Sequence, residues 1–204
     1  MPEQLAGDKE ALRLAWDGLS GRSLAAVAEE SGARTAGEGL VLKMMDRDCS
    51  LDPASRTMSY GDDGSPVKPH MQVLVLHYLL GAGKAEPTGE MVTFREFVGG
   101  AAYFPAYKKR TLDILVSRFG ADLGSMRRAG ERIGGTPLGK ATVGFRTRFF
   151  PKFEVDVLMW AGDEEVPASA NILFDSCART TLSTEDITVV AGALCSRLSA
   201  LGKG

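Results

Sequence analysis

Two histidines and three cysteines are all the imidazole and thiolate metal ligands this 204-residue chain possesses. That scarcity excludes a good deal. A structural zinc site takes about four Cys or His ligands in close pairs, and neither Cys-x-x-Cys nor His-x-x-x-His occurs. Charge of one sign is lacking as well: 24 Lys and Arg stand against 26 Asp and Glu, for a net charge of -2. A nucleic-acid partner calls for a basic excess to neutralise phosphates, so none is expected. Long hydrophobic runs are missing too. The longest, Val73 to Leu80, is interrupted by His77 and is far too short for a bilayer. Met1 to Trp16 is charged and amphipathic, unlike a signal peptide, so the cytoplasm is the expected compartment and no membrane partner is expected. Cys49, Cys177 and Cys195 are odd in number and widely spaced, which suits reduced, buried thiols in a cytosolic protein.

What is present is ordinary globular material, 44% hydrophobic and 25% charged, of a length that suits a single domain. Such a chain buries roughly 70% of its unfolded surface, enough for a core without staples. Glycine is plentiful, at 24 residues, and punctuates the pattern. Residues 1–35 read as an N-terminal helical segment, with one helix over Asp8–Leu19 and a second over Ser23–Ser31 stopped by Gly32. Leu40–Met45, Cys49–Leu51 and Thr57–Tyr60, separated by turn residues, predict a β-meander or a hairpin pair. Pro66 or Pro69 opens a helix through Leu80 that is apolar nearly all round and therefore buried.

Met91–Phe97 reads as a short strand or extended segment, Tyr103–Phe119 as one aromatic helix, and Ala121–Ile133 as another helix. Thr142–Phe149 alternates, with Arg146 and Arg148 on one face and Val143, Phe145 and Phe149 on the other. Phe153–Trp160 and Ala170–Phe174 continue the strands, and Ser183 with Asp186 boxes the start of a closing helix. Strands at both ends with helices between them predict an α+β fold, an antiparallel sheet packed against helices in a single domain.

The motifs of phosphate and acyl chemistry fail. Gly134–Ala141 has the glycine spacing and lysine of a phosphate loop, but no hydroxyl follows Lys140 and a strand pattern stands where a helix is required. No Gly-x-Ser-x-Gly occurs. The basic groups Lys108–Arg110 and Arg127, Arg128 and Arg132 read as solvated helix faces.

Three features remain as candidates. His77, in an apolar setting, reads either as an acid/base or axial ligand to a metal–tetrapyrrole, or as a core-edge histidine bonded to a carbonyl. The turn Asp163, Glu164 and Glu165 reads as metal or acid/base carboxylates, or as a solvated turn clasped to Arg146, Arg148 or Arg95. The stretch Phe94–Phe104 surrounds a glycine pair and an arginine with rings. There Arg95, Phe97 and Tyr103 would wall a pocket with Arg95 gripping a carboxylate, or the rings would plug the gap between sheet and helix.

The C-terminal third carries a family likeness. Phe150–Phe153, Val157–Pro167, Ala168–Asp175 and Leu182–Asp186 resemble the bacterial and archaeal family catalogued as domain of unknown function 3786. Leu74–Leu80 and Phe94–Gly100 are similar to its central helix and the segment after it, so the resemblance spans residues 36–204 and is strongest between Pro151 and Asp186. It implies no assigned catalytic residues. It does imply accessory work around corrinoid or one-carbon metabolism in anaerobes, since similar domains occur beside an iron–sulfur domain whose cysteine cluster this chain lacks. An iron–sulfur or corrinoid protein partner is thus expected. With the ring-rich segment, the resemblance points to a tetrapyrrole, haem or corrinoid, held between the helix of His77 and the Arg95–Tyr103 segment. The alternatives are a small hydrolase or transferase using residues 163–165, and a protein–protein adaptor.

Overall fold

The computed structural model describes residues 2–202, and side chains from residue 9 onward. The side chains of the first eight residues, on which part of the signal-peptide expectation rests, lie outside that description. The class is α+β, with two antiparallel sheets. The chain folds into two compact units: residues 1–86 with 150–152 and 180–182, and residues 87–149 with 153–179 and 183–204.

In the first unit, helices α1 (Pro2–Ser20) and α2 (Leu24–Ser31) precede a meander of β1 (Arg34–Ala36), β2 (Gly39–Met44), β3 (Arg47–Asp52) and β4 (Thr57–Tyr60). Ser23 caps α2 by accepting from the Ala26 N–H, and Gly32 ends it at φ 73°, a conformation open to glycine without cost. Register follows the alternation: Leu40 opposes Leu51 and Leu42 opposes Cys49, all buried, while Val41 opposes Ser50 on the other face. Helix α3 (Pro69–Gly81) starts with its proline in the first turn and buries Met71, Leu74, Val75, Leu76, Tyr78 and Leu79. It packs on α1 and α2. The Tyr78 hydroxyl donates to the Ser31 carbonyl at 2.7 Å and accepts from the Lys152 N–H at 3.1 Å, and its ring stacks on Phe150 at 4.2 Å.

The second unit is built on a sheet in the order β5 (Met91–Thr93), β9 (Ser169–Asp175), β8 (Phe153–Trp160), β7 (Val143–Phe150), β6 (Thr136–Pro137). Phe153, Val155, Val157 and Met159 of β8 and Ile172 and Phe174 of β9 form one buried face. Against this core stand α4 (Gly100–Arg110), α5 (Leu112–Phe119), α6 (Leu123–Arg132) and α8 (Thr184–Leu201), through Leu115, Phe119, Met126, Ile187, Val190 and Leu194. The short helix α7 (Ala178–Thr181) leads into α8. Ser183 and Asp186 form the reciprocal capping box of α8, as their spacing predicts.

Two expectations are corrected. Tyr103–Phe119 is not one helix: it begins earlier, at Gly100, and breaks at Thr111, whose hydroxyl donates to the Tyr107 carbonyl. A buried threonine bonding back into the preceding turn competes with the helix ladder. The strand from Met91 stops at Thr93, because Thr93 and Glu96 form a capping box that starts a 3-10 turn over Phe94–Glu96.

Candidate binding surface

The glycine pair of the ring-rich segment has two separate tasks. Gly99 takes φ +72°, and a β-carbon on Gly100 would collide with the Phe94 carbonyl oxygen. Together they turn the chain sharply from the 3-10 turn into α4, and that turn sorts the neighbouring side chains. Phe94 is buried and stacks on Tyr107 with centroids 3.9 Å apart. Phe97, 5% exposed, meets the edge of Phe174 at 5.8 Å. These rings plug the space between sheet and helix.

The outward side differs. Val98 is 93% exposed and Tyr103 41%. The Val98 carbonyl accepts from the Thr184 hydroxyl at 2.8 Å, the Gly100 N–H donates to the Phe97 carbonyl, and Arg179 pairs with Glu96 at 2.9 Å. An exposed valine is therefore held at a turn that is bonded on both sides of it. Glu96 is drawn below the usual carboxylate range by the Thr93 N–H, with Arg179 assisting, so this clasp stays charged.

Arg95 lies with its guanidinium 3.9 Å from the centroid of the Phe104 ring, in a cation–π arrangement. Arg110 donates to the Tyr103 hydroxyl at 2.9 Å, and Lys108 pairs with Asp113. Arg95, Lys109 and Arg110 find no carboxylate among the described residues. The exposed side of α4 is otherwise apolar: Ala101, Ala102, Tyr103 and Pro105 face water ahead of the basic C-terminal turn.

The other candidates lie elsewhere. His77 is half-buried on α3 of the first unit, where it has a partner within the fold. Arg95, Phe97 and Tyr103 belong to the second unit, so neither unit by itself joins them to His77. Asp163 accepts from the Glu165 and Val166 N–H groups at 2.9 and 2.7 Å, which hold its carboxyl below the usual range. It ties its own exposed turn. Arg146 and Arg148 turn instead to Glu154, at 3.3 and 3.6 Å, and Arg146 also to Asp156, at 2.6 Å. Glu154 and Asp156 alternate with the core residues Phe153, Val155 and Val157 of β8, so the strand's period of two is the signal that could have found them. No three His, Cys, Asp or Glu side chains among the described residues come together as a metal site. The three cysteines form no disulfide and are buried, and burial pushes Cys49 and Cys195 up to about 12. No helix among the described residues is long and apolar enough to cross a membrane.

A family model described as a domain of unknown function, DUF3786, matches residues 23–197, and the chain belongs to that family. The match begins earlier than the resemblance, taking in α2. No curated protein and no solved structure matches.

Proposed function

We propose that this DUF3786 chain is an accessory module that docks an acidic partner protein on the outward side of α4. The observation that carries the reading is what this segment exposes: Val98 ahead of α4, Tyr103 on it, and the cations Arg95, Lys109 and Arg110, which find no carboxylate among the described residues. Contiguous exposed apolar residues with a polar rim mark interaction surfaces, and cations at that rim steer an acidic partner and set the salt dependence of association. Arginine and tyrosine are the residue types that most often dominate such contacts.

An iron–sulfur or corrinoid protein is the class of partner that the family resemblance suggests, its acidic face meeting the basic turn of α4. The tetrapyrrole reading survives only with a changed geometry: an acidic macrocycle would lie on Tyr103 with its carboxylates on Arg95 and Arg110. The turn at residues 163–165 has no part in either reading, since Asp163 is committed to its own backbone.

A photo-crosslinker in place of Val98 should trap a partner. Once that partner is purified, Val98→Asp with Arg110→Glu should weaken its affinity at least about tenfold, and added salt should weaken the wild-type complex. Equal affinity of the doubly substituted chain sinks the proposal. A visible-spectrum shift on adding haem or hydroxocobalamin, lost in Arg95→Ala, would replace it with the tetrapyrrole reading.

A further inference from the structure

A second site lies within the second unit, where α6 faces the hairpin of β6 and β7. A cleft of about 330 Å³ opens there, lined by Arg127 and Glu131 of α6 and by Pro137, Leu138, Thr142 and Phe145 of the hairpin. Its existence follows from missing β-carbons. One added to Gly130 would sit 2.5 Å from the Phe145 ring, one on Gly135 2.8 Å from it, and one on Gly144 2.9 Å from Leu158. Helix and hairpin thus approach closely at these glycines, and the cleft opens beside that contact.

The cleft takes in Gly135, Pro137 and Leu138 of the glycine-rich stretch that has a phosphate loop's spacing. Three donors of that stretch are spent: Gly134 N–H on the Glu131 carbonyl, Gly135 N–H on the Gly130 carbonyl, and Leu138 N–H on the Gly144 carbonyl. A hairpin follows where an anion site needs the free N–H groups of a helix start. Local charge points the same way. One cation and one carboxylate line the cleft, so it has no surplus of positive charge.

Arg127 and Glu131 stand one helical turn apart, with arginine nearer the N-terminus, the weaker order for an ion pair. They do not pair with each other, and neither side chain has another partner among the described residues. Their neighbours on the helix are engaged: Arg128 reaches Asp122 at 3.7 Å and Arg132 donates to the Leu201 carbonyl at 2.7 Å. The Thr142 hydroxyl accepts from the Ala161 N–H at 3.1 Å, and so retains its own proton to donate.

We propose that this cleft binds a small zwitterion with an apolar body, of the class of a hydrophobic α-amino acid. Its carboxylate lies on Arg127, its ammonium on Glu131, and its side chain on Pro137, Leu138 and Phe145. The volume is at the small end of ligand sites, near the lower bound of about 300 Å³, which suits an amino acid and is too small for a dinucleotide. The inference is independent of the docking surface on α4.

The test is thermal unfolding of the full chain with L-leucine, L-isoleucine, L-valine, L-methionine and L-phenylalanine, each alone at millimolar concentration. At least one should raise the Tm by about 3–6 °C at roughly ten times its Kd. Its N-acetyl and its amide derivatives, which each lack one charge, should raise it less. Arg127→Ala and Glu131→Gln should abolish the rise, and Arg128→Ala, on the same helix but outside the cleft, should keep it. No rise with any of the five, or a rise that survives Arg127→Ala, overturns the proposal.

Discussion

Each unit of the molecule sets an arginine fork between two carboxylates, and the two forks differ chiefly in their access to water. In the first unit Arg47 receives Asp62 at 2.6 Å and Asp63 at 2.9 Å while its guanidinium lies 3.7 Å from the centroid of the Tyr60 ring. Both of its partners are on an exposed turn. In the second unit Arg146 holds Asp156 through two bonds, at 2.6 and 3.1 Å, with Glu154 at 3.3 Å. Asp156 is 0% exposed. The Coulombic attraction is similar in kind, but the cost of losing it is not. A solvated carboxylate released from its arginine returns to water, whereas a buried one has nowhere to go.

The largest expected effect therefore comes from Arg146→Ala. Asp156 has no other side-chain partner among the described residues, so the substitution strands a buried charge and should destabilise the protein by about 3–5 kcal/mol, read from denaturant unfolding. A loss under about 1 kcal/mol would erase the contrast between the forks.

Asp175 sharpens the contrast from the other side, as a buried carboxylate that needs no arginine. It accepts from the Thr88, Gly89 and Cys177 N–H groups and from the Thr88 hydroxyl, at 2.7 to 3.1 Å. Burial alone would push its carboxyl up, but these donors prevail and hold it at about 2. Its unfolded value is about 3.9. With the folded value the lower of the two, its contribution is fully present above about pH 4 and is lost as pH falls through about 2. Asp175→Asn should cost about 2–3 kcal/mol at neutral pH, and the variant should lack that portion of the acid dependence. Parallel acid profiles for wild type and variant would remove Asp175 from the account.

Removing the carboxylate from the buried fork is expected to matter less than removing the arginine. After Asp156→Ala, Arg146 keeps Glu154 and some water, so a loss of about 1–2 kcal/mol is expected. If Asp156→Ala proves as damaging as Arg146→Ala, the asymmetry argued from burial fails. Smallest of all should be Arg47→Ala, at about 1 kcal/mol or less. That loss should shrink further in high salt, which screens an exposed pair and spares a buried one.

Much of the frame was legible in the residues. The β-meander, the buried helix opened by Pro69, the alternation on β7 and the Ser183–Asp186 box each rest on local chemistry that few tertiary contacts overrule. The break at Thr111 was not legible, because threonine in a helix turns its hydroxyl back only when its surroundings leave no better partner. The ring-rich segment was half legible. Its composition announced a special place, but which rings enter the core and which face water depends on the turn at Gly99 and Gly100. Arg127 and Glu131 gave no signal beyond an ordinary charged helix face, since a cleft is made by what stands opposite.

The class of the fold, the positions of most elements and the failure of the phosphate-loop motif were determined by the sequence alone. These follow from periodicity, caps and turn residues, which act over a few residues. Tertiary structure decided the rest: Phe97 inward and Val98 outward, Asp156 buried and Asp62 wet, Arg127 unpaired beside Arg128 paired. Each of those is a question of exposure to water and of the partner across the gap, and neither is encoded within reach of the residue itself.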